Sequence, residues 1–170
     1  MKLSRLYHSF RLSMMRSYVK RAQYLKKHKL IGAMGEKCRW GPRVPLYSEL
    51  IKLHNNVTIH KTAILMTHDM VNGFLKASRP DLDWGARERI GCIEIMDNVY
   101  VSIGCMIMPD VRINRNCFIS AGSVVTSDIP ENSVVAGNPA KVVGRFDMFV
   151  ASRMIKKERN VRFTNQELIS

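Results

Sequence analysis

From Ile95 onward the chain divides into sixes: IMDNVY, VSIGCM, IMPDVR, INRNCF, ISAGSV and VTSDIP. The first position is Ile95, Val101, Ile107, Ile113, Ile119 and Val125, always aliphatic. The fifth is Val99, Cys105, Val111, Cys117, Ser123 and Ile129, always small or aliphatic. The same register occurs upstream in LHNNVT, IHKTAI and LMTHDM, led by Leu53, Ile59 and Leu65. Leu53 and Ile95 are 42 residues apart, a multiple of six, although the segment between the two blocks drops the pattern. A period of six matches neither the 3.6 of a helix nor the 2 of an ordinary strand. It suits short flat strands joined by tight turns, with one aliphatic and one small side chain per hexad pointing inward and Gly, Asn and Asp at the corners. Ordinary sandwich strands would not hold that phase through six consecutive units. The expected fold is an all-β solenoid, a parallel β-helix in which each coil buries its side chains against the next.

At 170 residues the chain suits one compact domain. Its organisation reads as a basic amphipathic helical segment over 1–30, a solenoid over 31–145 with an insertion loop at about 71–94, and a helical extension over 146–170. The net charge of +13 is unevenly placed. Residues 1–30 hold nine Lys/Arg and no acid, 31–140 hold eleven of each sign, and 141–170 hold seven against three. A nucleic-acid binder basic over its whole surface is therefore a poor description, and no aromatic or glycine-rich RNA-binding pattern accompanies the charge. No apolar run approaches the roughly 20 residues of a membrane span, and the basic start does not read as a secretory signal. Cys38, Cys92, Cys105 and Cys117 form no C-x-x-C pair. Cys105 and Cys117 occupy inward hexad positions, so a reduced, buried state and a cytoplasmic setting are expected.

Leu3, Leu6, Tyr7, Phe10, Met14, Tyr18 and Leu25 recur at helical steps among Lys and Arg. Such a helix can cap the open end of a solenoid, or lie on an anionic membrane surface as a peripheral contact at its inner face. Met148–Glu158 also has helical spacing.

The hexads followed by SAGSVVTSDIPENSVVAGNPAKVV, Ser120–Val143, resemble the hexapeptide-repeat acyltransferases, among them galactoside and maltose O-acetyltransferases, polysaccharide O-acetyltransferases and xenobiotic acetyltransferases. The resemblance runs from about Asn55 to Arg145. It implies a left-handed β-helix, although strand crossovers in general prefer the right hand. It also implies a homotrimer with active sites between subunits, acetyl-CoA as cosubstrate and no metal. His54, His60 and His68 lack the spacing of the zinc-binding carbonic anhydrases that share this architecture.

Of the five histidines, His8 and His28 fall in the basic start. His54 and His60 fall in outward hexad slots, where solvent exposure is expected. His68 stands in MTHDM, where the repeat breaks. The resemblance places the catalytic base there. Acetyl transfer to a hydroxyl needs the alcohol proton removed as the C–O bond forms, and an imidazole does that at neutral pH. The resemblance puts a backbone oxyanion donor at Ser102–Ile103, the pantetheine arm along Ser120, Ala121 and Gly122 beside Thr126, and the coenzyme phosphates on Lys141 and Arg145. Asp69 could orient the base or touch the acceptor. Trp84, in the insertion, could stack on a sugar or pack the loop onto the coils. Three functions compete: O-acetylation of a saccharide hydroxyl, in polysaccharide or glycan biosynthesis; acetylation of an antibiotic or other small hydroxyl compound; and a non-catalytic assembly module, which His68 and the intact Ser120–Val143 tract argue against.

Overall fold

The computed structural model describes residues 2–41, 43–69, 71–83 and 89–155. Two helices come first, α1 (Lys2–Ser13) and α2 (Tyr18–Lys27), followed by β1 (Ala33–Met34) and β2 (Arg39–Trp40). The strands β3 (Ile51–Leu53), β4 (Thr58–Ile59) and β5 (Ile64–Leu65) complete one rung. The chain then leaves through β6 (His68–Asp69), α3 (Val71–Ser78) and β7 (Arg89–Ile90). It returns in β8 (Ile93–Ile95), β9 (Val99–Val101), β10 (Met106–Ile107), β11 (Val111–Ile113), β12 (Cys117–Ile119) and β13 (Val124–Val125). The end is formed by β14 (Ser133–Gly137), β15 (Ala140–Arg145) and α4 (Phe146–Ile155).

Successive strands visit three sheets in rotation. A first face stacks β1-β3-β8-β11, a second stacks β2-β4-β9-β12-β14-β15, and a third stacks β5-β10-β13. All neighbours are parallel except β14 and β15. Ile93 pairs with Val111, eighteen residues on, so three hexads make one coil. Ile51 pairs with Ile93 across 42 residues, which is one coil plus an insertion of 24. The insertion therefore keeps the register it interrupts. It is also shorter at its far end than the sequence suggested. Gly91 donates its N–H to the Thr67 carbonyl at 2.9 Å, and Ile93 and Glu94 already belong to β8. A Cβ on Gly91 would meet Pro109 Cβ and Asp110 Oδ1 at 2.6 Å, so only glycine lets the returning chain settle against the next corner.

The hexad positions explain the core. Ile95, Val101, Ile107, Ile113, Ile119 and Val125 are completely shielded from solvent, as are Cys105 and Cys117. Burial pushes both thiols up, and each is turned toward a backbone carbonyl, Ser120 O at 3.1 Å and Pro130 O at 3.2 Å. The corner between the first and second faces is an asparagine ladder. Asn56, Asn98 and Asn116 all adopt φ of 55–59°, which asparagine tolerates better than most residues, and Nδ2 of each of the first two donates to Oδ1 of the next.

The N-terminal segment is two helices rather than one. Ser17 caps α2, accepting from the Lys20 N–H at 3.4 Å. Ala22 and Leu25 of α2 and Leu12 of α1 are buried and join Trp40 and Cys38 in the core, so α2 closes the first rung. Tyr7, Phe10 and Met14 of the amphipathic stripe are 58%, 65% and 71% exposed, so that part of the stripe does not cap the solenoid. At the other end α4 lies on the second face, where Tyr100, Phe118 and Phe149 stack in succession at 5.5 and 4.6 Å. No helix among the described residues is long and apolar enough to cross a membrane.

The first face carries its charge in register, with Lys52, Glu94 and Arg112 on consecutive coils. Glu94 meets His54 Nε2 at 2.9 Å, Lys52 Nζ at 3.0 Å and Arg112 Nη2 at 2.8 Å. His54 is thus half-buried and paired instead of freely solvated, and half-buried His60 lies edge-on to Tyr18 at 6.2 Å. The His54, Lys52 and Arg112 partners hold the Glu94 carboxyl at about 2 against an ordinary 4.5. A depressed folded pKa means stability that is present above the unfolded value and lost as pH falls through the folded one. Because Lys52 and Arg112 face water, the loss between pH 5 and 2 should amount to about 1 kcal/mol. Urea melts across that range should show it for the wild type and not for Glu94→Gln, whose stability should change less with acid.

Candidate active site

His68 is placed by the departure of the chain from the solenoid. Thr67, fully buried, donates its hydroxyl to the Leu46 carbonyl at 2.5 Å and accepts from the Gly91 N–H through its own carbonyl. His68 pairs with Ile90 across β6 and β7, and its ring stands edge-on to Tyr47 with centroids 5.3 Å apart at 73°. Tyr47 itself has φ 52°, an uncommon backbone for a non-glycine residue, in the turn that brings it against β6. His68 Nδ1 is buried with no hydrogen-bond partner among the described residues. Asp69 does not turn back to the ring. Its Oδ1 accepts from the Val71 N–H at 3.3 Å, at the start of α3. Trp84 lies outside the described residues.

The coenzyme residues implied by the resemblance gather at another corner. Thr62, Gly104 and Gly122 stack there on consecutive coils. The Gly104 N–H donates to Thr62 Oγ1 at 3.0 Å and the Gly122 N–H to Ile103 O at 2.9 Å. Ala121 and Gly122 are exposed and Ser120 is half-buried. The Ser123 hydroxyl closes this turn onto Ser120 O at 2.6 Å. Ser102 is buried and its N–H is spent on Ile119 O at 3.1 Å, a ladder bond, so Ser102 cannot be the oxyanion donor. Ile103, 53% exposed, has an N–H without an acceptor among the described residues. Lys141 is exposed on β15 opposite Ala136, one rung beyond this corner. Arg145 is tied by Nε and Nη2 to Asp147, whose carboxyl it holds below the usual range, so its charge is already engaged.

The two groups do not meet within one chain. Ser120–Gly122 lies at the corner where the second face turns into the third, while His68 and exposed Thr126 lie at the third face's far end. Gly122 and Thr126 are four residue steps apart, roughly 13 Å at 3.3 Å per step. Between them the third face presents Ile64, Met106 and Val124 outward, in register and uncharged, with Ile64 half exposed.

The bacterial transferase hexapeptide model (six repeats) matches residues 93–127. Over those residues the chain carries the hexapeptide repeat. A Staphylococcus aureus (strain MRSA252) protein with a provisional acetyltransferase name is 32% identical over 127 residues, 66% of this chain and 63% of that protein. A Schizosaccharomyces pombe protein with a similar provisional name is 34% identical over 98 residues, 58% and 44% of the two chains. The chain thus spans under two thirds of the length of these curated relatives. Among solved structures, a maltose O-acetyltransferase from Clostridium difficile 630 shares the fold with a TM-score of 0.59 at 24% identity, covering 84% of each chain. A galactoside acetyltransferase in complex with coenzyme A shares it with a TM-score of 0.57 at 24% identity, over 85% of this chain and 80% of that one.

Proposed function

We propose that this protein is an acetyl-CoA-dependent O-acetyltransferase, wound as a left-handed β-helix, that acetylates a saccharide hydroxyl in polysaccharide or glycan assembly. The observation that carries the reading is the setting of His68. It is the histidine at which the chain leaves the coil, pinned on both sides by Thr67 and Tyr47, with Nδ1 turned inward. Nε2 is then the nitrogen that meets an acceptor. It takes the hydroxyl proton while the alcohol oxygen bonds to the thioester carbonyl carbon. The C–S bond breaks as the tetrahedral intermediate collapses, and the imidazolium returns its proton to the leaving thiolate. The Ile103 N–H is the available donor for the oxyanion. Acetyl-CoA would supply the activated acetyl group, its arm along Ser120–Gly122 and a phosphate on Lys141.

The uncharged third face supports a homotrimer. Packing the later coils of that face against a neighbour covers Met106 and Val124, leaves Ile64 on the first rung open, and sets His68 of one subunit beside the coenzyme corner of the next. The maltose and galactoside names of the two structural neighbours support a sugar acceptor over an antibiotic. Release of coenzyme thiol from acetyl-CoA, measured over a panel of saccharides and hydroxylated drugs, tests this. Turnover of drugs alone would transfer the reading to xenobiotic acetylation.

The outward stripe of α1 supports a peripheral contact with an anionic membrane. Tyr7 and Phe10 on α1 and Met14 just after it are exposed, as are Arg11, Arg16 and Lys20, in a segment of 30 residues without one acid. Co-sedimentation with phosphatidylglycerol-containing vesicles, but not with phosphatidylcholine alone, is the expected result. Phe10→Asp should weaken it by roughly tenfold. Equal binding to both vesicles would remove the anionic preference, and binding to neither would remove the membrane from the account.

A further inference from the structure

A groove of about 330 Å³ runs along the lower edge of the third face, between residues 43–45 and the strand β5. Val44, Pro45, Ile64 and Leu65 give it an apolar floor, and Arg43 and Lys61 stand at its sides. Both cations are exposed, and neither meets a carboxylate among the described residues. Both walls continue directly to the proposed base. Two residues beyond Pro45, Tyr47 touches the His68 ring; Leu46 accepts from Thr67, and His68 lies three residues past Leu65. Lys61 is at the corner where the third face begins and His68 at the corner where it ends. The groove therefore has its cationic end and the base at opposite ends of the third face.

We propose that the acceptor is an anionic oligosaccharide, whose carboxylate or phosphate sits between Arg43 and Lys61 while a hydroxyl further along the same chain of sugars meets His68. The inference rests on the acetyl-transfer reading. An apolar floor suits the faces of sugar rings, and a guanidinium beside an ammonium suits an anion, as planar bidentate recognition paired with a point charge. The coenzyme residues lie on later coils, at Ser120–Gly122 and Lys141, which leaves this first-rung groove to the acceptor. The placement of charge and base at opposite ends of the face suits a chain of sugars better than one ring carrying both groups.

The test compares acceptors that differ in charge alone: trigalacturonic acid against its methyl ester, and maltose 1-phosphate against maltose. Thiol release gives the kcat/KM ratio of charged to neutral acceptor, and saturation-transfer NMR gives binding independently of turnover. The charged member of each pair should be preferred by at least tenfold. The ratio should fall about tenfold in Arg43→Gln and in Lys61→Gln, and further in the double variant. Preference for a carboxylate alone or a phosphate alone identifies which anion is read. Equal use and equal binding of charged and neutral members would overturn the proposal. So would an unchanged ratio in the double variant, or a rise in the KM for acetyl-CoA in its place, which would give the groove to a coenzyme phosphate. If no sugar is acetylated but NMR shows the charged members bound through Arg43 and Lys61, the groove stands and the transfer reading fails.

Discussion

Replacing His68 by alanine should lower kcat for acetyl transfer by a factor of about 10²–10⁴, the usual contribution of a positioned general base. Coenzyme binding should be retained, because Ser120–Gly122 and Lys141 lie at another corner of the solenoid. The substitution should also leave the fold intact. His68 Nδ1 makes no hydrogen bond among the described residues, so its removal strands no buried partner, and the ring's recorded neighbour is the edge of Tyr47. Those properties separate a chemical role from a structural one. A variant that turns over as fast as the wild type would refute the mechanism. One that loses activity together with its circular-dichroism melt would make His68 a packing residue.

The solenoid was legible because its determinants are local and repeated. Each hexad from Ile95 to Val125 states its own inward positions, and each reads the same way, so the core could be named residue by residue. The 42-residue gap between Leu53 and Ile95 even announced that the insertion preserves register, as the Leu53–Ile95 pairing bears out. What depends on contacts between distant segments was less accessible. The resemblance pointed to His68, but Tyr47 and Leu46, which fix its neighbourhood, sit in a stretch with no period to read. The backbone N–H of Ser102 is consumed by Ile119 O, and that follows from the stacking of coils, which no single hexad displays. The Lys52–Glu94–Arg112 column could have been found. Those residues share one hexad position on consecutive coils and alternate in sign, a signal that appears only once the 24-residue insertion is taken out and the sequence is folded into rows of eighteen. The N-terminal stripe left two readings open for another reason. Helical spacing locates an apolar face, but not whether that face turns toward its own protein.

Two inactive variants should restore each other. His68→Ala lacks the base, and Ala121→Glu places a carboxylate on the exposed turn proposed to hold the pantetheine arm, at a position where the fold has no stake. Each alone should be at least about 10²-fold down in activity. In a trimer whose sites combine His68 of one subunit with the 120–122 turn of the next, mixing the two chains equally draws an intact base half the time and an intact turn half the time. Co-refolded mixtures should therefore recover about a quarter of wild-type activity. Sites assembled within one chain would recover none, since every chain carries one defect. The arrangement further requires that the third face be the contact. Met106→Glu puts a charge in the middle of the row formed by Ile64, Met106 and Val124. It should yield a monomer by sedimentation that is as inactive as either defective parent, although its own His68 and 120–122 turn are untouched. An active monomer would return the whole site to a single chain. The roughly 13 Å between His68's corner and the coenzyme turn would then have to be closed by the segment that leaves the solenoid at His68, a different architecture from the one proposed.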